Sequence, residues 1–422
     1  LLALEHPGFR LYFMGQAVSL TGSWLQAAAV RWLVYEQTHS ETMLGIIEVA
    51  SIMPGLLVGL FAGALADRVA PVSLLVLMEC GQMVLAFALA ALVGLGVVQI
   101  WQMALILAAS RICVTFELPS RQVFFYELVG PKILPNAIAL NSGLFNATRV
   151  IGPALAGFFL STLGGFGCFV LNGVSFLAAI AAIIAVRLPH RDRPMHAEGF
   201  ELKEILGGLH YLRSERRILA QFSLVAFFGV AGMGYDAMIA AYAQRVVHTG
   251  VEGYSTLLAL SGIGATVGAL VVASLSSVRR KERITIGGMI LFSLSLGGGA
   301  LFPRLIATDA GTTVRLIVAA GCLLGAGFGA VAFYSSSMMV IQLEIPDRLR
   351  GRIMGIWMIV FSGSVPLGAF WTGEAAERWG VAMVMGVSAV LCFVTALAVL
   401  ASGILVPAPV ESPPTGTGPA AA

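Results

Sequence analysis

Charge is scarce in this chain. Of its 422 residues, 11% are Asp, Glu, Lys or Arg and 58% are apolar, and the mean hydropathy is +0.91. A water-soluble molecule of this length could not cover its surface with so few charges. Cysteine is sparse as well. The five (Cys80, Cys113, Cys168, Cys322 and Cys392) are scattered through apolar segments. With no CxxC pair and no His/Cys cluster, neither a metal centre nor a disulfide framework is expected. The ~10-residue alternating pieces of a membrane β-barrel are missing. No Walker A sequence occurs, and Gly325 to Gly329 lies inside an apolar run with no strand before it, so nucleotide binding is rejected. No nucleophile–base constellation is visible, so an enzyme is not expected and no cofactor is implied.

What is present is a series of long apolar runs, each of the ~18 or more residues that a helix needs to cross ~30 Å of hydrocarbon. Twelve spans can be placed, at roughly 11–35, 43–66, 72–94, 100–122, 137–162, 166–186, 219–243, 254–277, 284–303, 314–341, 353–373 and 381–405. The reading is an all-α protein with twelve transmembrane helices in the lipid bilayer. The first span is long and lacks a small-residue cleavage site, so a cleavable leader is not expected. Residues 187–217, RLPHRDRPMHAEGFELKEILGGLHYLRSERR, interrupt the pattern and carry seven of the 25 basic residues. They divide the chain into a six-span bundle over 1–186, a linker over 187–217 with an amphipathic surface helix from Glu201, and a second bundle over 218–406. A Pro/Gly/Ala-rich tail over 407–422 is expected to be disordered.

The basic residues follow topology. Eighteen of the 25 fall in alternate connections that share one side of the membrane, and four in the other set. That rule makes the first side cytoplasmic and places both termini there. It also accounts for the net charge of +3 without nucleic acid. Three arginines, Arg31, Arg111 and Arg149, lie inside the spans.

The halves resemble each other weakly. ELVGPKILPNAIA (127–139) precedes span 5 and QLEIPDRLRGRIM (342–354) precedes span 11, and Pro153 and Pro366 are 213 residues apart. Parallel six-helix repeats are one way secondary transporters are built, with the substrate between them. Between spans 2 and 3 stands Gly63-Ala64-Leu65-Ala66-Asp67-Arg68, which resembles the G-x-L-x-D-R loop motif of the major facilitator superfamily. Its usual following basic residues are replaced here by V-A-P-V-S (69–73). Arg149-Val150-Ile151-Gly152-Pro153-Ala154-Leu155-Ala156-Gly157 resembles the span-5 motif of that superfamily's antiporters. The stretch 116–157, with GQAVSLTGSWLQAAAVRWLVYEQTHS (15–40) and PDRLRGRIMGIW (346–357), is similar to the branch holding the enterobactin exporter and macrolide-efflux-like proteins. The resemblance implies two pseudo-symmetric six-helix bundles. Gly63, Asp67 and Arg68 would latch the ends of the halves, and Gly152, Pro153 and Gly157 would kink and close-pack span 5. Arg111 occupies roughly the place of the span-4 arginine, but without its usual Gln-Gly neighbours. A proton relay and a structural salt bridge both stay open for it.

An ionisable side chain within a span costs at least ~2.5–3.5 kcal/mol on insertion scales unless it is paired or wet. By depth, Arg31, Glu48 and Asp236 fall at one level, in the outer half. Two readings follow: Arg31 pairs alternately with the two acids as a proton-sensitive gate, or it makes a static bridge to Glu48. Arg149, near the middle of span 5, suits an anionic substrate group or neutralises Glu79 or Glu117. Glu117 and Arg121 read as a solvated pair at a helix end. Gly55, Gly59 and Gly63 line one face of span 2, for packing or for sliding. Gln26, Asn141, Asn146, Tyr235 and Tyr334 are further cavity candidates, and so few hydrogen-bonding groups suit amphiphilic or aromatic solutes.

The expectation is therefore a multi-pass carrier of a bacterial inner membrane, a monomer. It would export a small hydrophobic or amphiphilic substrate (a drug, a macrolide-like compound or a siderophore) by proton antiport. A proton symporter or facilitator, a lysolipid-flipping transporter and a non-transporting membrane sensor are the alternatives.

Overall fold

The computed structural model describes residues 2–66, 69–186, 188, 211–275, 281–306, 311–346 and 349–405, with backbone alone at 60–66, 350 and 351. Asp67, Arg68, most of the linker with its amphipathic segment, and the tail over 407–422 lie outside the described residues. Among the described residues there is helix and no strand.

After a single turn at Leu2–Glu5, the first long helix is α1 (Pro7–Thr38), followed by α2 (Glu41–Ala66), α3 (Pro71–Gly94) and α4 (Ile100–Val129). One stretch of 52 residues, Leu134–Ala185, would reach ~78 Å if straight. It is two helices, α5 (134–163) and α6 (165–185), reversed at Gly164, whose φ of 66° and ψ of −174° only glycine adopts readily. The second half comprises α7 (starting as Arg216–Ala231), α8 (Val251–Ser274), α9 (Lys281–Leu305), α10 (Gly311–Glu344), α11 (Arg350–Trp379) and α12 (Val381–Ser402). Ten described segments are long and apolar enough to cross a membrane. Dividing the 52-residue stretch and adding α1, which is long enough but carries polar residues along its length, brings the helices to twelve.

The helix pairs repeat with a period of six. α1 packs on the α5–α6 stretch as α7 packs on α11 and α12. α2 on α4 is matched by α8 on α10, α3 on α4 by α9 on α10, and α3 on α6 by α9 on α12. The turns repeat too. Gly164 joins α5 to α6, and Gly380, with φ 84°, joins α11 to α12. The two most extensive pairings between halves are α2 with α11 and α5 with α8, and adding six to one gives the other.

Span 7 departs from the continuous helix read over 219–243. Beyond Ala231 it becomes a 3₁₀ turn (Met233–Asp236), a short α turn (Ile239–Tyr242) and a π turn (Ala243–Val247). The cause is close packing on α11. A Cβ on Gly234 would collide with Thr372 and approach the Gly368 carbonyl, and Gly368 itself presses on the Gly229 and Val230 carbonyls. Backbone-to-backbone contact leaves little room for a regular α helix there, and such irregular turns recur at functional places.

Apolar burial is uneven along the bundle. One core joins both halves: Leu25, Trp32, Tyr35 and Ile47 from the first, and Phe228, Tyr242, Tyr254 and Ala369 from the second. Toward the opposite ends of the helices the cores separate. Phe9, Tyr12, Leu75, Phe125 and Ile183 form one within the first half, and Phe222, Ile341, Ile353 and Trp357 another within the second. Among the described residues the halves thus share a core where α1 turns into α2 and have separate cores where α1 begins. These are called the closed and open ends below.

Candidate functional site

Arg31, on α1, sits where the halves meet below the closed end. Its Nη2 donates to Glu48 Oε1 on α2 at 3.2 Å, and its Nη1 donates to Asp236 Oδ2 on α7 at 3.2 Å. One guanidinium therefore holds an acid from each half simultaneously, whereas alternation was one reading and a bridge to Glu48 alone the other. Asp236 reaches it from the last residue of the 3₁₀ turn, so the irregular backbone of α7 sets its position. Beside the cluster, the Tyr254 hydroxyl of α8 donates to the Ala28 carbonyl of α1 at 3.0 Å, and Trp32 lies 5.4 Å from the Tyr254 ring.

Nearer the closed end, a second layer ties the halves. Arg245 pairs with the fully buried Glu41 at 3.1 Å and donates to the His39 carbonyl at 2.7 Å. Ser40 donates to Glu377 at 2.7 Å, and Thr42 to Glu374 at 3.2 Å. Gly45 and Gly373 allow the α2 and α11 backbones to touch: a Cβ on either would fall 2.6 Å from a carbonyl of the other helix. Tyr254 and this layer were missed in the sequence. The available signal was Arg245, one of the four basic residues on the sparsely charged side.

The other intramembrane arginines part company. Arg111 is exposed and forms no ion pair among the described residues, but Glu48 and Arg31 lie within electrostatic reach. Gly55 makes room for it, since a Cβ there would lie 2.6 Å from Arg111 Cγ. Arg149 approaches neither Glu79 nor Glu117. Its guanidinium stands 5.9 Å from the Trp24 ring of α1, a cation–π geometry. Glu79 is instead bonded to Gln16, and Glu117 to Arg121 and Gln82. Glu117 is also buried, contrary to the solvated helix end expected for it, because α4 continues to Val129.

The span-5 residues stand at helix crossings. A Cβ on Gly152 would strike Trp24 and the Thr21 carbonyl of α1, and one on Gly157 would fall 2.6 Å from Ser255 Cβ of α8. Pro153 is buried between them. Around that crossing is a groove of about 380 Å³ lined by Gly157, Phe158, Ser161, Glu252, Ser255 and Leu260. Among the remaining cavity candidates, Gln26 accepts from Asn172 at 2.8 Å inside the α1–α6 contact. Asn146 bonds its own helix at the Ser142 carbonyl, and Tyr235 meets Ser261 at 3.4 Å. Among the described residues, Asn141 Oδ1 and the Tyr334 hydroxyl are buried without partners, the latter beside Phe228 and Phe361. Of the loop motif, Gly63 is in α2, while Asp67 and Arg68 lie outside the described residues. Among the described residues no His, Cys, Asp or Glu cluster could hold a metal ion.

Two six-helix sets with paired charges between them frame the site, and the comparisons give the family. The sequence profile of the transmembrane secretion effectors, a group of major facilitator transporters, matches residues 1–411. The chain belongs to this family. The secretion-effector relatives include the multidrug efflux pump Tap of Mycolicibacterium fortuitum, 26% identical over 85% of this chain and 87% of Tap. The staphyloferrin A transporter of Staphylococcus aureus is 20% identical over 90% of this chain and 93% of its own. A bacterial homologue of the human lysosomal transporter Spinster, in an inward-facing and occupied conformation, superposes with a TM-score of 0.72 at 15% identity, over 93% and 96% of the two chains. That likeness is one of fold. The protein is thus a multi-pass, non-enzymatic major facilitator transporter with efflux-type and siderophore-transporting relatives.

Proposed function

We propose that this chain exports a small hydrophobic or amphiphilic compound by proton antiport, the two halves rocking about the space between α1, α4, α5, α7 and α11. The observation that carries the proposal is Arg31 held between Glu48 of one half and Asp236 of the other. Protonating either acid removes half of the charge that anchors the guanidinium, which favours separation at the closed end. Ligands and protons act on such an equilibrium only through differential affinity for its two states, and a carboxylate paired in one state and hydrated in the other has that property. The positive-inside pattern supports a cytoplasmic open end, an inward-facing conformation and both termini on that side. A bacterial inner membrane and a monomer fit this arrangement.

The efflux relative favours an exported drug-like substrate, and the staphyloferrin A relative a siderophore. Arg149 over Trp24 offers a cation and an aromatic face to either. The test is direction-resolved transport in proteoliposomes with an imposed pH gradient, on substrates chosen from a ligand thermal-shift panel. Substrate should move against the proton flow. Co-movement of substrate and protons would replace antiport with symport, and absence of substrate-dependent proton flux would favour a sensor.

A further inference from the structure

A second group of buried ionisable side chains lies in the first half, away from the Arg31 cluster and from the interface between halves. Glu79 of α3 and Glu117 of α4 have adjoining carboxyls at 1% and 3% exposure. Three of their four oxygens are occupied. Gln16 Nε2 of α1 donates to Glu79 Oε1 at 2.9 Å, Gln82 Nε2 donates to Glu117 Oε2 at 3.0 Å, and Arg121 donates to Glu117 Oε1. The fourth, Glu79 Oε2, is buried and has no donor among the described residues. The buried Tyr12 hydroxyl of α1 faces the same group.

The charge count explains the vacancy. Two carboxylates and one guanidinium would leave a net negative charge in an apolar setting, since Gln16 and Gln82 carry none. The other titratable neighbours are Tyr12, Cys80 on α3 and Cys113 on α4. The α6 arm packed on α3 brings only Cys168 between 165 and 185. Among the described residues no second cation balances Glu79. A proton on Oε2 removes the surplus charge and supplies a donor for the facing Glu117 carboxylate or the Tyr12 oxygen. Two carboxyls that share one site characteristically retain one proton between them.

We propose that Glu79 is a proton-binding site of the first half, holding a proton at rest on the oxygen that faces Glu117. Arg31 lies 15 residues beyond Gln16 on α1, about 22 Å along the helix, so the site is spatially distinct from the cluster between the halves. Its existence does not depend on transport. Its use as a coupling site rests on the antiport reading above.

Infrared difference spectra of the lipid-reconstituted protein, taken between neutral and alkaline buffer, read the proton directly. Wild type and Glu48→Gln should both show a protonated-carboxyl C=O band that Glu79→Gln lacks. A band absent from wild type, or unchanged in Glu79→Gln, overturns the proposal. A measurement free of variants is peptide mapping after dicyclohexylcarbodiimide, which adds to protonated carboxyls in apolar surroundings. The adduct should form on Glu79 at neutral pH and diminish on alkalinisation, and labelling that spares Glu79 overturns the site. Neither readout uses substrate, so a failure of antiport in vesicles leaves both results standing.

Discussion

Arg31 carries more of the interface than its exposure suggests, because it is the single cation between two acids contributed by opposite halves. Removing one partner of a buried ion pair usually costs roughly 3–5 kcal/mol, since the other charge is left unpaired. Arg31→Gln strands two acids, whereas Glu48→Gln or Asp236→Asn leaves a one-to-one pair. Thermal unfolding in detergent should therefore rank Arg31→Gln well below both acid variants, and equal midpoints would contradict the shared-anchor geometry. Arg149 is expected to act on substrate instead. Arg149→Gln should leave the melting midpoint close to wild type while weakening binding of anionic ligands more than neutral ones, as read by titration with each class. The depth of Arg31, Glu48 and Asp236 was legible in the sequence because helix rise and span limits place a residue along the membrane normal. Which residues meet across a bundle is not so encoded. Arg149 faces Trp24, because α1 packs on that side of α5.

At the scale of single helices, small residues decide how near two axes come. On α8, a Cβ at Gly264 would collide with the Leu324 carbonyl of α10, and one at Gly327 of α10 with the Ser261 carbonyl of α8. Backbone cannot yield as a flexible side chain can. Gly264→Ala should lower the thermal midpoint clearly, while Gly143→Ala, with nothing within 4 Å, should match wild type or exceed it slightly through better helix propensity. Similar loss in both would show that propensity, not crossing distance, governs. The helices themselves were plain in the sequence, since twelve apolar runs leave few other arrangements for a chain in lipid. The broken stretch of α7 was not. Hydropathy registers apolar content, and residues 229–243, Asp236 aside, are mostly apolar whether helical or not. Only Gly229, Gly232 and Gly234 in close succession hinted at it, and their effect depends on the α11 backbone opposite.

At the scale of the whole molecule, the repeated helix pairs and the unequal distribution of apolar cores describe a device with two sealable ends. One core joins the halves at the closed end and two separate cores serve the open end, so rocking exchanges contacts without breaking either half. The six-and-six organisation was legible from the basic run at 187–217 and the spacing of Pro153 and Pro366. Which end is shut was not, because that depends on contacts such as Ser40 with Glu377 and Arg245 with Glu41, made by residues more than 200 positions apart. The most direct test of a charge-controlled gate is a pair of electron-spin distances in a cysteine-free background. One pair of labels, at His39 and Trp379, spans the closed end, and the other, at Lys132 and Arg213, spans the open end. Neutralising both acids with Glu48→Gln and Asp236→Asn should lengthen the first distance and shorten the second. Distances that stay fixed, or that change in the same sense, would contradict alternating access governed by Arg31.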